Sequence, residues 1–292
     1  MILVTGWTGN TGGFVVRMLR ERYPDQPIVG LARSPDAPSP PGVLVEPADL
    51  RDEGAVEEVF RRHAFTTILH VANIRFSPLI MRLAEAYRVP HTVLVHTTGI
   101  YSRYQEYSSL YREIEGGILD GRFEHTAWTI LRPTMIYGNH RDHNLHKLIR
   151  VLHRYPVFPV FGGGSAVMQP VHVEDLAAAV VACVGNDRVK RRGYDLSGGS
   201  VVTYGDILRR ITRLLGKRVR FVPVPLPAGI FFARLYGRAS KHPIITVEQI
   251  QRLQEDKSYP HEAAARDLDF RPRPFEEGIA QEVAELRERG LI

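Results

Sequence analysis

Three glycines near the start of the chain, Gly6, Gly9 and Gly12, lie three residues apart in the sequence TGWTGNTGG. The apolar stretch Ile2–Thr5 before them is typical of a short buried strand, and the apolar stretch that begins at Phe14 is typical of a helix. The backbone N–H groups of such a turn and the positive end of the helix together bind a phosphate. An ordinary strand-to-helix turn is the weaker alternative, because the glycines occur in this order of elements. The other turn residues that we expect at the phosphate are Thr8, Asn10 and Thr11.

A second set of polar residues follows about 20 residues after the glycine turn, where a dinucleotide bound at such a turn presents its ribose 2′ position. The segment Gly30–Ser34 contains no acidic residue that would accept a hydrogen bond from a 2′-hydroxyl. It contains Arg33, with Ser34 beside it, and a guanidinium can pair with a 2′-phosphate. These residues favour NADP as the cofactor. NAD stays possible, because an arginine can also stack on adenine and because Asp36 lies nearby.

Two further segments end in residues that we expect beside the same cofactor. Asp49 and Leu50 follow the third strand-like stretch and are predicted at the adenine edge, unless Asp49 only helps to start the next helix. Small residues end the fourth strand-like stretch and would let the chain pass beneath the cofactor. These residues are Val71, Ala72 and Asn73.

Strand-like and helix-like segments alternate over the first half of the chain. The strand candidates are Ile2–Thr5, Ile28–Ala32, Val43–Glu46, Thr67–Val71, Thr92–His96 and Ala127–Leu131. The helix candidates are Gly13–Tyr23, Glu53–His63, Pro78–Tyr87 and Leu110–Leu119, with Asp52 as a cap of the second. This alternation predicts an α/β fold, a doubly wound parallel sheet of the Rossmann type with helices on both faces.

The alternation changes after Tyr137, and the rest of the chain is mainly helical. Further helices are predicted at Asn144–Tyr155, Val173–Val184, Tyr204–Leu215, Ala228–Ala239, Val247–Glu255, His261–Asp267 and Phe275–Arg289. Strands are predicted at Tyr194–Leu196 and Val219–Val222, and the Pro- and Gly-rich segment 156–170 is predicted to be a link. We expect residues 1–137, with 170–198 returning to them, to form the dinucleotide-binding domain. Residues 138–169 and 199–292 would form a smaller C-terminal substrate lobe over the carboxyl edge of the sheet, where ligands bind in such folds.

Composition places few other limits on function. The chain has 292 residues, 44% hydrophobic and 24% charged, as in ordinary soluble globular proteins. No apolar run approaches the roughly 18 residues that cross a bilayer. The chain starts in a strand without the charged segment of a signal peptide, and its single Cys183 excludes an internal disulfide. We therefore expect a cytoplasmic protein with no membrane partner.

The formal net charge of +6 raises the question of a nucleic-acid partner. However, the basic residues are scattered along the sequence, and the densest run, Lys190–Arg192, is short. A mild positive excess suits acidic small ligands such as nucleotides equally well. We expect no nucleic acid as a partner.

Several motifs together resemble those of the short-chain dehydrogenase/reductase superfamily, and in particular its extended type, which includes NAD(P)-dependent nucleotide-sugar epimerases and dehydratases. The matching motifs are Thr5-Gly6-x-x-Gly9-x-x-Gly12, Asp49-Leu50, His70-x-Ala72, Leu131–Gly138, Gln169–Ala177 and Leu196–Gly199. The resemblance implies that the nicotinamide ring is flanked by Pro133, Thr134, Met135 and Ile136.

The resemblance also implies a Ser or Thr after the fifth strand and a Tyr-x-x-x-Lys pair on the next helix. Thr97 or Thr98 fits the first position, and Tyr107 is the candidate acid/base. The lysine position then holds Tyr111, and no lysine occurs before Lys147. An adjacent cation normally lowers the pKa of such a tyrosine. The nearest substitute is Arg112, one position further along the helix.

Two functions therefore stay open. In the favoured one, the protein is an NAD(P)-dependent oxidoreductase or epimerase, with Thr98, Tyr107 and Arg112 at a small-molecule substrate. In the other, it binds NADP without turnover, as a redox sensor or an accessory subunit. We expect no metal ion, although His140, His143 and His146 are spaced like possible ligands. A homodimer that pairs helix Tyr107–Leu119 is possible by the same resemblance.

Overall fold

The structure is a computed structural model that describes residues 1–34, 37, 40–103, 106–142, 144–239 and 247–292. The strands in this part of the chain are β1 (Ile2–Thr5), β2 (Ile28–Ala32), β3 (Val43–Pro47), β4 (Thr67–His70), β5 (His91–Val95), β6 (Ala127–Pro133), β7 (Ile136–Tyr137), β8 (Val157–Phe161), β9 (Val167–Met168), β10 (Val171–His172), β11 (Arg192–Leu196), β12 (Val202–Thr203) and β13 (Arg220–Val224). The helices are α1 (Asn10–Arg22), α2 (Glu53–Arg62), α3 (Ser77–Ala86), α4 (Glu106–Leu119), α5 (Leu145–Arg154), α6 (Val173–Ala182), α7 (Tyr204–Leu215), α8 (Leu226–Ala239), α9 (Val247–Arg252), α10 (Glu262–Leu268) and α11 (Phe275–Glu288).

Seven of the strands form one parallel sheet in the order β11-β6-β5-β4-β1-β2-β3. The first strand pairs with β2 on one side and with β4 on the other, so the chain order reverses direction at β1. Every residue of β1, β2 and β4 is buried, which explains why these strands do not alternate between apolar and polar residues. The predicted doubly wound parallel sheet is confirmed.

Helices cover both faces of this sheet. On one face α1 packs against α6 through a core that includes Val15, Leu19 and Val180. On the other face α2 and α3 bury residues such as Phe60 and Ile80. None of the described helices combines the length and the hydropathy that a bilayer crossing requires.

A separate hydrophobic core lies among the elements that follow β7. It joins α5, α7 and α11 through residues such as Ile149, Ile211 and Ile279. Beside it the segment that was predicted as a link forms β8, which pairs in parallel with β13. That prediction was wrong because Val157–Phe161 is long enough and apolar enough to pair with a strand that lies far away in sequence. The division into a dinucleotide-binding domain and a substrate lobe stays a prediction.

Several helix boundaries differ from those predicted. The first helix begins at Asn10 rather than Gly13, so that Gly12 lies within its first turn. The fourth helix begins at Glu106 rather than Leu110. The predicted cap of α2 is confirmed, since Asp52 Oδ1 accepts a hydrogen bond from the Ala55 N–H at 3.0 Å.

Glu282, on α11, is a carboxyl group buried in the second core. Its Oε2 accepts a hydrogen bond from the Gly138 N–H at 3.0 Å, just after β7. Burial raises the pKa of Glu282 to about 11, and the neighbouring Asp142 side chain adds to the shift. Glu282 is therefore protonated at neutral pH.

We predict that Glu282→Gln raises stability more at pH 8 than at pH 5. Unfolded Glu282 loses its proton near pH 4.5 and the folded side chain keeps it up to about pH 11, so folding takes up a proton and stability falls as the pH rises between these values. Glutamine needs no proton, and we expect its melting temperature at pH 8 to exceed that of the wild type by at least about 3 °C. Glu288→Gln, an exposed change on the same helix, is the control. A Glu282→Gln effect of equal size at both pH values would contradict this prediction.

Candidate functional site

The glycine turn brings β1, α1 and β4 into direct backbone contact. Gly6 has a φ of 72°, and a Cβ added there would lie 2.7 Å from the backbone nitrogen of Ala72. A Cβ on Gly12 would lie 2.2 Å from the Gly6 carbonyl oxygen, so only glycine fits. The Gly9 N–H donates to the same oxygen at 2.9 Å and closes the turn. Glycine at positions 6 and 12 therefore lets β1, α1 and β4 approach one another at backbone distance.

The first turn of α1 has the properties of a phosphate site. The N-cap of the helix is Gly9, which has no side chain to bond the N–H groups of the first turn. The sequence of that turn, Asn10–Gly13, contains no acidic residue to compete for the positive helix end. These residues, at the carboxyl edge of a parallel sheet, fit the pyrophosphate of a dinucleotide.

The end of β4 lies directly beneath this turn. The Val71 N–H donates to the Thr5 carbonyl at 3.1 Å, which aligns the two strand ends. The Thr5 hydroxyl and His70 Nδ1 share a buried hydrogen bond of 2.7 Å, and burial lowers the pKa of His70 to about 3. The small Ala72 therefore faces Gly6, while the exposed Asn73 accepts a hydrogen bond from the Arg75 N–H at 3.0 Å.

The predicted adenine end of the site combines two arginines and one carboxylate. Arg33 is exposed at the end of β2 and forms no ion pair with any of the described residues, to which Asp36 does not belong. Asp49 is paired with Arg51, at 2.6 Å between Oδ2 and Nη2, and hydrogen bonds from Arg51 hold the pKa of this carboxyl at about 2. Ser34 is exposed beside Arg33, and Leu50 is half-buried against the core.

Residues predicted around the nicotinamide lie at the ends of β5 and β6, which pair with each other. The Thr97 hydroxyl accepts a hydrogen bond from the Gly99 N–H at 3.0 Å, and the Thr98 hydroxyl donates to the Pro133 carbonyl at 3.2 Å. Thr98 thus contacts the start of the segment Pro133–Ile136, which was predicted beside the nicotinamide. In that segment Thr134 is buried and donates to the Gln169 carbonyl at 2.6 Å, while Met135 and Ile136 are half-buried.

The candidate acid/base, Tyr107, lies in the first turn of α4, and its side chain is outside the described part of the structure. Arg112 Nη1 donates to the Ile100 carbonyl at 2.8 Å. The guanidinium therefore contacts the loop that carries Thr98. Its role beside Tyr107 stays a prediction.

A buried polar network beneath this end of the site was not predicted from the sequence. Glu115 on α4 bonds His96 Nδ1 at 2.9 Å and Arg132 Nε at 2.8 Å. Burial alone would raise the pKa of Glu115, but hydrogen bonds from these two partners lower it. The network continues from Arg132 to Asp195 at 3.6 Å and from Asp195 to the Tyr101 hydroxyl at 3.0 Å. These bonds connect α4 to the ends of β5, β6 and β11. The acidic Glu115 on the sheet-facing side of α4 is the feature of the sequence that could have indicated the network.

Two segments from the later part of the chain reach this edge of the sheet. Asn139 Nδ2 donates to Asn10 Oδ1 at 2.7 Å, and Arg141 Nη2 donates to the Thr8 carbonyl at 2.7 Å, so the loop after β7 braces the glycine turn. At the other end, the ring of Tyr259 lies 5.0 Å from the ring of Tyr101. No local pattern in the sequence indicates either contact.

The histidines that were spaced like metal ligands have other partners. His140 Nδ1 lies 2.6 Å from Glu285 Oε1, and His146 Nδ1 lies 3.8 Å from Asp142 Oδ1. His143 is outside the described residues. Within the described ranges, no group of three or more His, Cys, Asp or Glu side chains is arranged to hold a metal ion.

Comparisons with known proteins agree with this geometry. The chain is 32% identical over 100 residues to the NADH dehydrogenase (ubiquinone) 1 alpha subcomplex subunit 9 of Arabidopsis thaliana, a match that covers 34% of this chain and 25% of that one. It is 24% identical over 153 residues to the UDP-glucose 4-epimerase of Vibrio cholerae, covering 52% of this chain and 44% of that one. The matches therefore span less than half the length of these two curated relatives.

The fold has counterparts among solved structures. The UDP-glucose 4-epimerase of Thermus thermophilus, solved in complex with NAD, superposes with a TM-score of 0.72 over 98% of both chains, at 20% identity. The model of the NAD dependent epimerase/dehydratase family matches residues 2–97 and 121–196. This match includes the glycine turn, the ends of β2 to β6 and the return to β11. The chain therefore belongs to the NAD-dependent epimerase/dehydratase family.

Proposed function

We propose that this protein is an NAD(P)-dependent oxidoreductase or epimerase that acts on a small alcohol or carbonyl substrate, with a nucleotide sugar as the first candidate. The observation that carries the proposal is the glycine turn, where no side chain caps the N–H groups at the start of α1 and where a Cβ at Gly6 or Gly12 would collide with backbone. The similarity to epimerases that use UDP-glucose supports the substrate class.

In this proposal different segments of the chain bind different parts of the cofactor and the substrate. The glycine turn binds the pyrophosphate, and the segment Pro133–Ile136 holds the nicotinamide end. A dinucleotide held by these residues would supply or accept the hydride, at C4 of its nicotinamide ring. The Thr98 hydroxyl, now bonded to the Pro133 carbonyl, turns to orient a substrate oxygen. Tyr107 moves the proton of that oxygen, and Arg112 supplies positive charge on the same helix.

The preference for NADP is part of this proposal. Arg33 is exposed at the end of β2, and the nearby carboxylate of Asp49 is already paired with Arg51. A 2′-phosphate at this place would therefore meet a guanidinium that forms no ion pair with a described side chain. A 2′-hydroxyl would lack the acidic acceptor that NAD sites usually provide at the end of this strand.

We predict that Arg33→Ala weakens NADPH binding by at least about tenfold, because it removes a charge-assisted contact to the phosphate. NADH binding should change less than about threefold, since that cofactor has no 2′-phosphate. Calorimetric titration with both cofactors measures the two effects. Arg22→Ala, an exposed arginine at the end of α1, is the control and should leave both affinities unchanged. A preference for NADH that survives Arg33→Ala would contradict the assignment.

A second candidate function is dinucleotide binding without turnover, as a redox sensor or an accessory subunit. The observation that favours it is Tyr111 in the place of the lysine that resembling enzymes use to activate their tyrosine. In addition, the hydroxyls of Thr97 and Thr98 both bond to backbone groups. The similarity to a protein named as a subunit of NADH dehydrogenase is in line with this candidate.

Turnover separates the two candidates. With UDP-glucose and small ketones as substrates and NADPH or NADH absorbance as the signal, we predict that Tyr107→Phe lowers kcat by at least about 100-fold and leaves the dinucleotide Kd unchanged. Tyr155→Phe, at an exposed position just after α5, is the matched control and should keep the wild-type rate. Tight dinucleotide binding with no turnover by the wild type would overturn the enzyme in favour of the second candidate.

A further inference from the structure

Seven exposed cations lie in two segments that are distant in the sequence but neighbours in the folded chain. We call them the basic face, and they are Lys147, Arg150, Arg154, Arg213, Lys217, Arg218 and Arg220. The chain has 38 Lys and Arg residues and 32 Asp and Glu residues, a formal net charge of +6, and the basic face gathers seven of these cations. The expectation of scattered positive charge holds along the sequence, but the fold brings this group together.

Secondary structure explains how the group assembles. On α5 the three cations Lys147, Arg150 and Arg154 are spaced one helical turn apart and lie on one side of the helix. The strand that follows α5 pairs in parallel with β13, so that Arg220 lies opposite Val157. The inner sides of α5 and α7 share one hydrophobic core, which leaves their outer sides to solvent.

The two segments that carry the basic face have no acidic residues of their own. Residues 144–161 and 207–224 contain no Asp or Glu. None of the seven cations forms an ion pair with a residue that the structure describes, whereas the nearby Arg209 and Arg210 pair with Asp206 and Glu276. The seven charges are therefore available to an external anion.

Apolar side chains stand exposed between these cations. Tyr155 is 52% exposed and Val157 is 50% exposed, with Val151 and Val222 also more than a third exposed. Val151 and Tyr155 line a groove of about 700 Å³ between α5 and Leu291, together with the cations of α5. Such a surface can attract anionic groups through its cations and bury apolar groups against its exposed valines.

We propose that the basic face docks on the surface of a membrane rich in anionic phospholipids. Lysine and arginine near such a surface are attracted to its headgroups, and the interspersed apolar side chains enter the boundary between headgroups and acyl chains. The valines favour a lipid surface over nucleic acid, because they neither stack on bases nor bond to phosphates. This docking is independent of the dinucleotide site, which lies at the edge of the sheet. It revises the expectation that the protein has no membrane partner.

Sedimentation of the full-length protein with lipid vesicles tests the proposal. We expect it to pellet with vesicles that contain about one third phosphatidylglycerol in phosphatidylcholine and to stay in solution with phosphatidylcholine alone. Binding should weaken as salt is raised, because screening shortens the reach of the charges. Equal binding to both vesicles, or no binding to the anionic ones, would overturn the proposal. So would binding of a single-stranded RNA oligonucleotide without binding of the vesicles.

Two triple variants with the same net charge locate the contact. Changing Lys147, Arg150 and Arg154 to Gln should lower binding to the anionic vesicles by at least about tenfold. The control changes Arg22, Arg122 and Arg188 to Gln, which are exposed elsewhere on the molecule, and should alter binding less than about twofold. If the first variant does not fold, the double variant Lys217→Gln, Arg218→Gln in the turn after α7 serves the same purpose. Equal losses in both sets would mean that net charge alone drives binding and would contradict the assignment to this face.

Discussion

The first turn of α1 packs against the backbone of Gly6 with no side-chain atom between them. A Cβ on Gly12 would lie 2.2 Å from the Gly6 carbonyl oxygen, and Gly6 in turn touches the backbone of Ala72. Three elements, β1, α1 and β4, therefore meet at one point of the carboxyl edge. The N–H groups of the helix end are presented there, and the positions of the predicted adenine and nicotinamide residues follow from the strands on either side. A substitution that adds a side chain at Gly12 would have to move the helix and with it the predicted phosphate site.

The opposite end of the site depends on a different interaction, the buried carboxylate of Glu115 with its two cationic or polar partners. Removing one partner of such a group leaves a buried charge and costs about 3–5 kcal/mol. The network therefore fixes α4 against β5, β6 and β11 without the lysine that resembling enzymes carry on this helix. The fold of the epimerase/dehydratase family is kept, while α4 has no lysine of the kind that the resemblance implies beside the tyrosine. This combination is why both an enzyme and a binding protein are compatible with the fold.

The parts of the fold that depend on local patterns could be predicted from the sequence. Continuous apolar runs identify β1 and β2, and the spacing of Gly6, Gly9 and Gly12 identifies the turn. Contacts between residues that are far apart in the sequence could not be predicted, because no local sequence pattern indicates which distant residues will meet. Glu282 holds the N–H of Gly138, and Arg141 reaches Thr8. The basic face shows the same limit, since its two segments become neighbours only when β8 pairs with β13.

The most direct test of the glycine turn is calorimetric titration of NADPH and NADH into wild-type protein, Gly12→Ala and Gly13→Ala, each checked for folding by circular dichroism. Both variants add one methyl group to neighbouring positions of α1. At Gly13 the added Cβ meets only the Trp7 carbonyl oxygen, at 3.9 Å, which is an ordinary contact. We expect wild type and Gly13→Ala to bind a dinucleotide with similar affinity and folded Gly12→Ala to bind at least about tenfold more weakly. Wild-type affinity in folded Gly12→Ala, or no binding of either dinucleotide to the wild type, would contradict the site assigned here.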